Sequence, residues 1–96
     1  MYLKIHESGD RRIVAICDKN LIGKKLKTKD IEINITKRFY KGDELSDEEI
    51  IKILKEAENI NIIGKKSVDF AIKNKFIKKN SIIKIKGIPH AHLYNV

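Results

Sequence analysis

The chain has a single cysteine, Cys17, so it has no partner for an intramolecular disulfide and too few thiols for a multi-cysteine zinc knuckle. A thiol alone in this way suits a reducing compartment. Long apolar runs are also missing. No stretch approaches the roughly 20 apolar residues that a membrane span needs. Met1 to Ser8 alternates charged and apolar residues, unlike the apolar run of a signal peptide. These absences predict a cytoplasmic protein without a membrane partner. There is no Gly-rich loop ending in Lys-Ser or Lys-Thr, which removes a Walker-type phosphate site. No pair of carboxylates flanks a glycine or histidine as in a glycosidase or an aspartyl enzyme. Low-complexity segments are absent too. The sequence therefore predicts no cofactor, and a binding module more readily than an enzyme.

Ninety-six residues predict one compact domain, 1–96, able to bury roughly 60–65% of its unfolded surface. Ile and Lys dominate, with 19 and 18 copies. Branched Ile side chains pack well on a pleated sheet. A Lys-rich surface fits life at high temperature and fits an AT-rich genome equally. The net charge of +8 is uneven. Residues 1–42 hold 11 basic and 5 acidic groups, residues 43–58 hold 2 and 7, and residues 59–96 hold 8 and 1. A basic body with one acidic segment fits a polyanion-binding protein; an ordinary solvated Lys surface has the same charge count.

Tyr2 to Glu7 and Arg12 to Cys17 read as strands of a hairpin around Ser8-Gly9-Asp10. Asp18 to Asp30 reads as a Lys-rich loop with one short helical turn. Ile31, Ile33 and Ile35 alternate with polar residues, the clearest half-buried strand in the chain. Lys37 to Leu45 reads as a connection. A helix over 46–57 follows, with Ser46 and Glu49 forming a capping box and Ile50, Ile51, Leu54 and Ala57 forming its buried stripe. Asn59 to Ile63 reads as a short strand or linker, and a second helix spans about Gly64 to Lys75. Ser81 to Lys86 is a strand, Gly87-Ile88-Pro89 breaks it, and His90 to Tyr94 is a tail suited to an edge. The fold class is α+β: a mixed sheet of about four to six strands with two helices packed on one face.

Several segments carry chemistry. Lys65 and Lys66 stand where a helix dipole disfavours cations, so Gly64 and the free backbone N–H groups there offer a phosphate cradle. Lys24 and Lys25, after Gly23, offer a second basic pair. Phe39-Tyr40, with Lys37, Arg38 and Lys41, joins aromatic rings to cations, as single-stranded nucleic acid requires. Each of these also has an ordinary reading as turn, solvated surface or core. His90 and His92 share a face on any strand, the spacing of two metal ligands. A third ligand from His6, Cys17 or Asp43 is not placed by the sequence. His90 beside the rigid Pro89 is also a candidate acid–base group. Cys17 near lysines is a candidate reactive thiol, though a lone strand-end cysteine commonly packs as core. The echo between Asn20-Leu21-Ile22-Gly23-Lys24-Lys25 and Asn61-Ile62-Ile63-Gly64-Lys65-Lys66 is too short to define a repeat.

Phe39-Tyr40-Lys41-Gly42, Asn61-Ile62-Ile63-Gly64 and Gly87-Ile88-Pro89-His90, with Cys17-Asp18 and Leu21-Ile22-Gly23, are similar to an archaeal family, family 424 of the domains of unknown function. The resemblance covers essentially the whole chain. Its marked positions fall on Phe39, Tyr40, Gly42, Asn61, Gly64, Gly87, Pro89 and His90. Lys41 departs from the glycine of that motif, and His92 from its usual polar residue. The resemblance implies a stand-alone cytosolic archaeal domain and supplies no activity.

The expected function is a non-catalytic RNA-binding or ribonucleoprotein-associated module, with Lys24, Lys25, Lys65, Lys66 and Arg38 contacting phosphates and Tyr40 stacking. A link to translation follows only from the general run of small basic archaeal proteins. The alternatives are a small enzyme or metal-dependent factor centred on His90, and a protein–protein adaptor that uses the acidic helix 46–57 or dimerises through its last strand.

Overall fold

In the computed structural model residues 1–94 are described. Asn95 and Val96, the end of the expected domain, lie outside them. Strands β1 (Tyr2–Ser8) and β2 (Arg11–Cys17) form the expected antiparallel hairpin. Strand β5 (Asn59–Ile63) lies parallel to β2 and antiparallel to β7 (Ile88–Tyr94), and β6 (Ile83–Ile85) closes the far edge. The order is β1-β2-β5-β7-β6, a mixed five-stranded sheet.

Two helices cover one face, as the sequence predicts. Helix α2 (Asp47–Glu56) starts at the Ser46–Glu49 capping box and buries Ile50 and Leu54. Helix α3 (Lys65–Lys73) buries Val68 and Ala71. They pack on Leu3, Val14, Ile16, Ile60, Ile62 and Ala91. A fully buried Ile or Leu contributes about 1.5–3 kcal/mol, so this layer is the main source of stability.

The second face is where the structure departs from the sequence reading. The strand expected over 31–36 exists as β4 (Glu32–Asn34), but it does not join the main sheet. It pairs with β3 (Lys25–Lys27), inside the expected loop, to make a separate two-stranded sheet. The expected helical turn is present as a 3-10 turn over Lys19–Leu21. The expected connection at 37–45 contains a one-turn helix, α1 (Lys37–Tyr40), capped by the Thr36 side chain. Leu21, Leu26, Ile35 and Tyr40 from these pieces cover Ala15, Cys17, Ile63 and Ile85. Ile31 is left 42% exposed.

Asn59–Ile63, read as a short strand or linker, is the central strand. The expected tail begins earlier, since β7 starts at Ile88. β6 pairs with Ile88, Pro89 and His90 only, so Ala91–Tyr94 borders β5 alone and forms an edge there. Gly42 shows why the chain can return so closely to β1. Leu3 and Asp43 exchange two backbone hydrogen bonds of 2.9 Å, and a Cβ at Gly42 would overlap the Leu3 carbonyl.

Candidate nucleic-acid interface

The second face is only half covered, and register assigns the rest. One row across the strands is Tyr2, Cys17, Ile63, His90 and Ile83; the next is Lys4, Ala15, Asn61 and His92; the third is His6, Ile13, Asn59 and Tyr94. Cys17, Ala15 and Ile63 lie under the β3–β4 layer and α1. Beyond Tyr40 the face opens. All three histidines lie on it, and Tyr94 is 68% exposed. No position of these rows carries a carboxylate, so nothing within the face itself opposes an anion.

Helix α1 forms the border between the covered and open halves. The Thr36 hydroxyl accepts from Phe39 N–H at 3.1 Å, which turns Phe39 and Tyr40 onto the sheet. The Tyr40 hydroxyl donates to Asn61 Oδ1 at 2.9 Å, and His90 Nε2 lies 3.2 Å from the same oxygen. His6 stacks on Phe39 with centroids 4.5 Å apart and bonds its carbonyl through Nε2 at 2.8 Å. The Lys4 ammonium donates to the Arg38 carbonyl. On β7, His92 Nε2 lies 2.8 Å from Asn59 Oδ1, and its ring sits 4.6 Å from that of Tyr94.

Burial sets the protonation of the network. The Tyr40 phenol is pushed up to about 12 by burial, with the Cys17 thiol adding to the effect, so it stays a proton donor. His90 is pushed below its ordinary 6.5 by burial and by neighbouring His92, so it stays neutral near pH 7. The Cys17 thiol is pushed up to about 12, first by burial and then by Asp18. Of the two readings of Cys17, reactive thiol or core residue, its full burial supports the core, since a reactive thiol depends on exposure and a lowered pKa.

Of the motif positions, Phe39, Tyr40, Asn61 and His90 converge here. The Lys pairs do not. Lys24 and Lys25 line a separate cleft of about 300 Å³ with Asn34 and Thr36, and Lys25 pairs with Glu32 at 3.3 Å. Lys65 lines a groove of about 570 Å³ on the helix side with Lys79 and Lys84. The expected phosphate cradle at Gly64-Lys65-Lys66 is filled from within the chain. The Asp18 carboxylate accepts from Lys66 N–H at 3.0 Å, Ser67 N–H at 2.8 Å and Ser67 Oγ at 2.7 Å.

Sequence reasoning missed Asp18, Asn59, His6, Lys4 and Tyr94 as members of these arrangements. The signal for Asp18 was a deficit: α3 starts with two cations and a glycine, with no side-chain cap of its own. The signal for the face was period-two alternation, polar at 59 and 61 and again at 90, 92 and 94. Among the described residues, no group of three or more His, Cys, Asp or Glu comes together to hold a metal ion. His90 and His92 each turn Nε2 to an asparagine. No helix of the described residues is long and apolar enough to cross a membrane.

No curated protein matches the chain. A crystal structure of an uncharacterized conserved protein from Methanopyrus kandleri is similar, with a TM-score of 0.82 and 27% identity. The match covers 97% of this chain and 89% of that one. Residues 6–96 match the family described as protein of unknown function (DUF424), and the chain belongs to that family.

Proposed function

We propose that the chain is a non-catalytic module that binds single-stranded RNA on the open half of its five-stranded sheet. One observation carries the reading: a carboxylate-free sheet face on which three histidines, two asparagines and exposed Tyr94 are gathered, in a chain of net charge +8. Tyr94, His92 and the His6–Phe39 stack offer ring planes for unstacked bases, and each base–ring contact contributes about 1–3 kcal/mol. Lys4 and Arg38 stand at the border for phosphates. Duplexes hide their bases, so a face built of rings and amides favours single strands. The distant Lys pairs act through the general field, which speeds encounter with a polyanion. A cytoplasmic ribonucleoprotein linked to translation is the setting this chemistry fits.

The other readings find less support. Beside a His-centred reaction one expects an acid or nucleophile, whereas the partner of His90 is an amide and the Cys17 thiol is buried. An adaptor surface on the acidic helix competes with that helix's own needs, since Glu49 serves its capping box and nearby Glu44 pairs with Lys19 at 2.7 Å.

Fluorescence anisotropy against labelled single-stranded RNA, tRNA and duplex DNA at two salt concentrations tests the reading. Single-stranded RNA should bind tightest, with a log–log salt slope of about 0.7 per phosphate neutralised. Replacing both His92 and Tyr94 with Ala should weaken binding about tenfold or more. Equal weak binding to every polyanion, unchanged by that double substitution, would reject the sheet face as the site.

A further inference from the structure

We infer that this face discriminates among bases: Asn59 and Asn61 present donors to the group at C4 of a pyrimidine, a keto oxygen in uracil and an amine in cytosine, so uridine is preferred over cytidine. The inference rests on the RNA-binding reading above and gives that site its specificity. Both amides are already oriented. Asn61 Oδ1 receives the Tyr40 hydroxyl at 2.9 Å and the His90 ring nitrogen at 3.2 Å. Those two bonds use both lone pairs of the amide oxygen. A buried phenol held protonated is a better donor than acceptor, which fixes the oxygen, and not the nitrogen, toward Tyr40. Asn59 Oδ1 is engaged in the same way by His92 Nε2 at 2.8 Å.

What each amide leaves for a ligand is its Nδ2 group, with two N–H donors. Neither nitrogen has a protein partner among the described residues, and neither is a buried orphan, so both reach solvent. Asn59 and Asn61 are alternate residues of β5 on one face, about 7 Å apart, too far to serve one carbonyl and well placed to serve two bases. Uracil presents an oxygen at C4, where cytosine presents an amine. An amide N–H meets the first with a hydrogen bond and meets the second donor against donor, leaving both unpaired. The rings are alike in size and share the keto oxygen at C2, so a contact at the C4 edge is what separates them.

The test is anisotropy of labelled oligouridylate and oligocytidylate of equal length, at one salt concentration and near-neutral pH. The unaltered chain, Asn61→Asp and Asn59→Asp are compared. The unaltered chain should prefer uridine about tenfold. In each variant Oδ1 keeps its histidine while the outward donor becomes an acceptor. Added negative charge lowers affinity for both oligomers, so the readout is their ratio, which should fall to about one or invert. If Asn61→Asp fails to fold, half-buried Asn59 carries the comparison. Equal affinity of the unaltered chain for both oligomers, or a ratio that neither substitution moves, overturns the keto-selective site and leaves RNA binding standing. Binding to neither oligomer overturns the RNA-binding reading itself.

Discussion

The backbone N–H of Ser67 donates to Asp18 Oδ1 at 2.8 Å, across 49 residues of sequence. Asp18 follows the last residue of β2, and Ser67 is in the first turn of α3. The carboxylate thus ties a strand end to a helix start and supplies the negative charge that the Lys65–Lys66 turn lacks. Gly64 makes room for it, with φ at 114° and space that a Cβ would deny to the carboxylate.

Asp18→Ala should therefore lower stability by about 2–3 kcal/mol, because two backbone donors and the Ser67 hydroxyl lose their partner together. Asp18→Asn should cost less, since one amide oxygen still accepts. Urea denaturation checks both, and a midpoint unchanged by Asp18→Ala would mean that water caps the helix equally well.

Cys17 should be silent to thiol reagents in the folded protein and react fully once denatured. Its side chain is buried, its Sγ lies 3.1 Å from the Asp18 carbonyl, and its thiol is pushed up to about 12. Alkylation with and without denaturant, followed by mass measurement, decides this; fast native labelling would mean that the second layer opens readily.

Local signals were legible in the sequence and long-range ones were not. The Ser46–Glu49 box spans four residues, so the start of α2 could be read directly. The Gly87-Ile88-Pro89 segment misled for a physical reason. A proline inside a strand usually breaks the ladder, because it has no N–H. Here Gly64 N–H donates to the Pro89 carbonyl at 2.9 Å, while the Gly64 carbonyl is taken by Val68 N–H at 2.9 Å as α3 begins. The ladder needs no donor at position 89, so β7 continues through it. Tyr40, Asn61 and His90 were visible as separate motif positions. Their meeting depends on the β5–β7 register and on α1 lying against the sheet, which no local pattern encodes. The same holds for β4, whose alternation was plain but whose partner, β3, was hidden in a Lys-rich segment.

Tyr40→Phe should cost about 0.5–1.5 kcal/mol, the usual worth of one hydrogen bond. The ring would keep its edge contact with Phe39, at 4.8 Å and 76°. Tyr40→Ala should cost about 3–5 kcal/mol, because the packing against the covered half of the sheet goes as well. If the two variants were equally unstable, the hydroxyl and not the ring would be holding α1 in place.

His90 should make stability fall on acidification. In the fold its imidazole faces Asn61, the like-charging His92 and apolar Ile63 and Ile83 across the ladder, and no carboxylate of the sheet face draws a proton onto it. Its folded pKa accordingly lies below the ordinary 6.5. As pH drops through the ordinary value the unfolded chain takes up the proton first, so the unfolded state binds more protons and stability declines with pH. The decline begins near 6.5 and levels off below the folded pKa; above the ordinary value the contribution is complete. The test is a difference: urea midpoints from about pH 8 to about pH 5 for the unaltered chain and for His90→Gln. The variant should have the shallower slope, because its amide can still donate to Asn61 but takes up no proton. Parallel slopes would mean that His90 titrates alike in both states and that its burial is relieved on protonation.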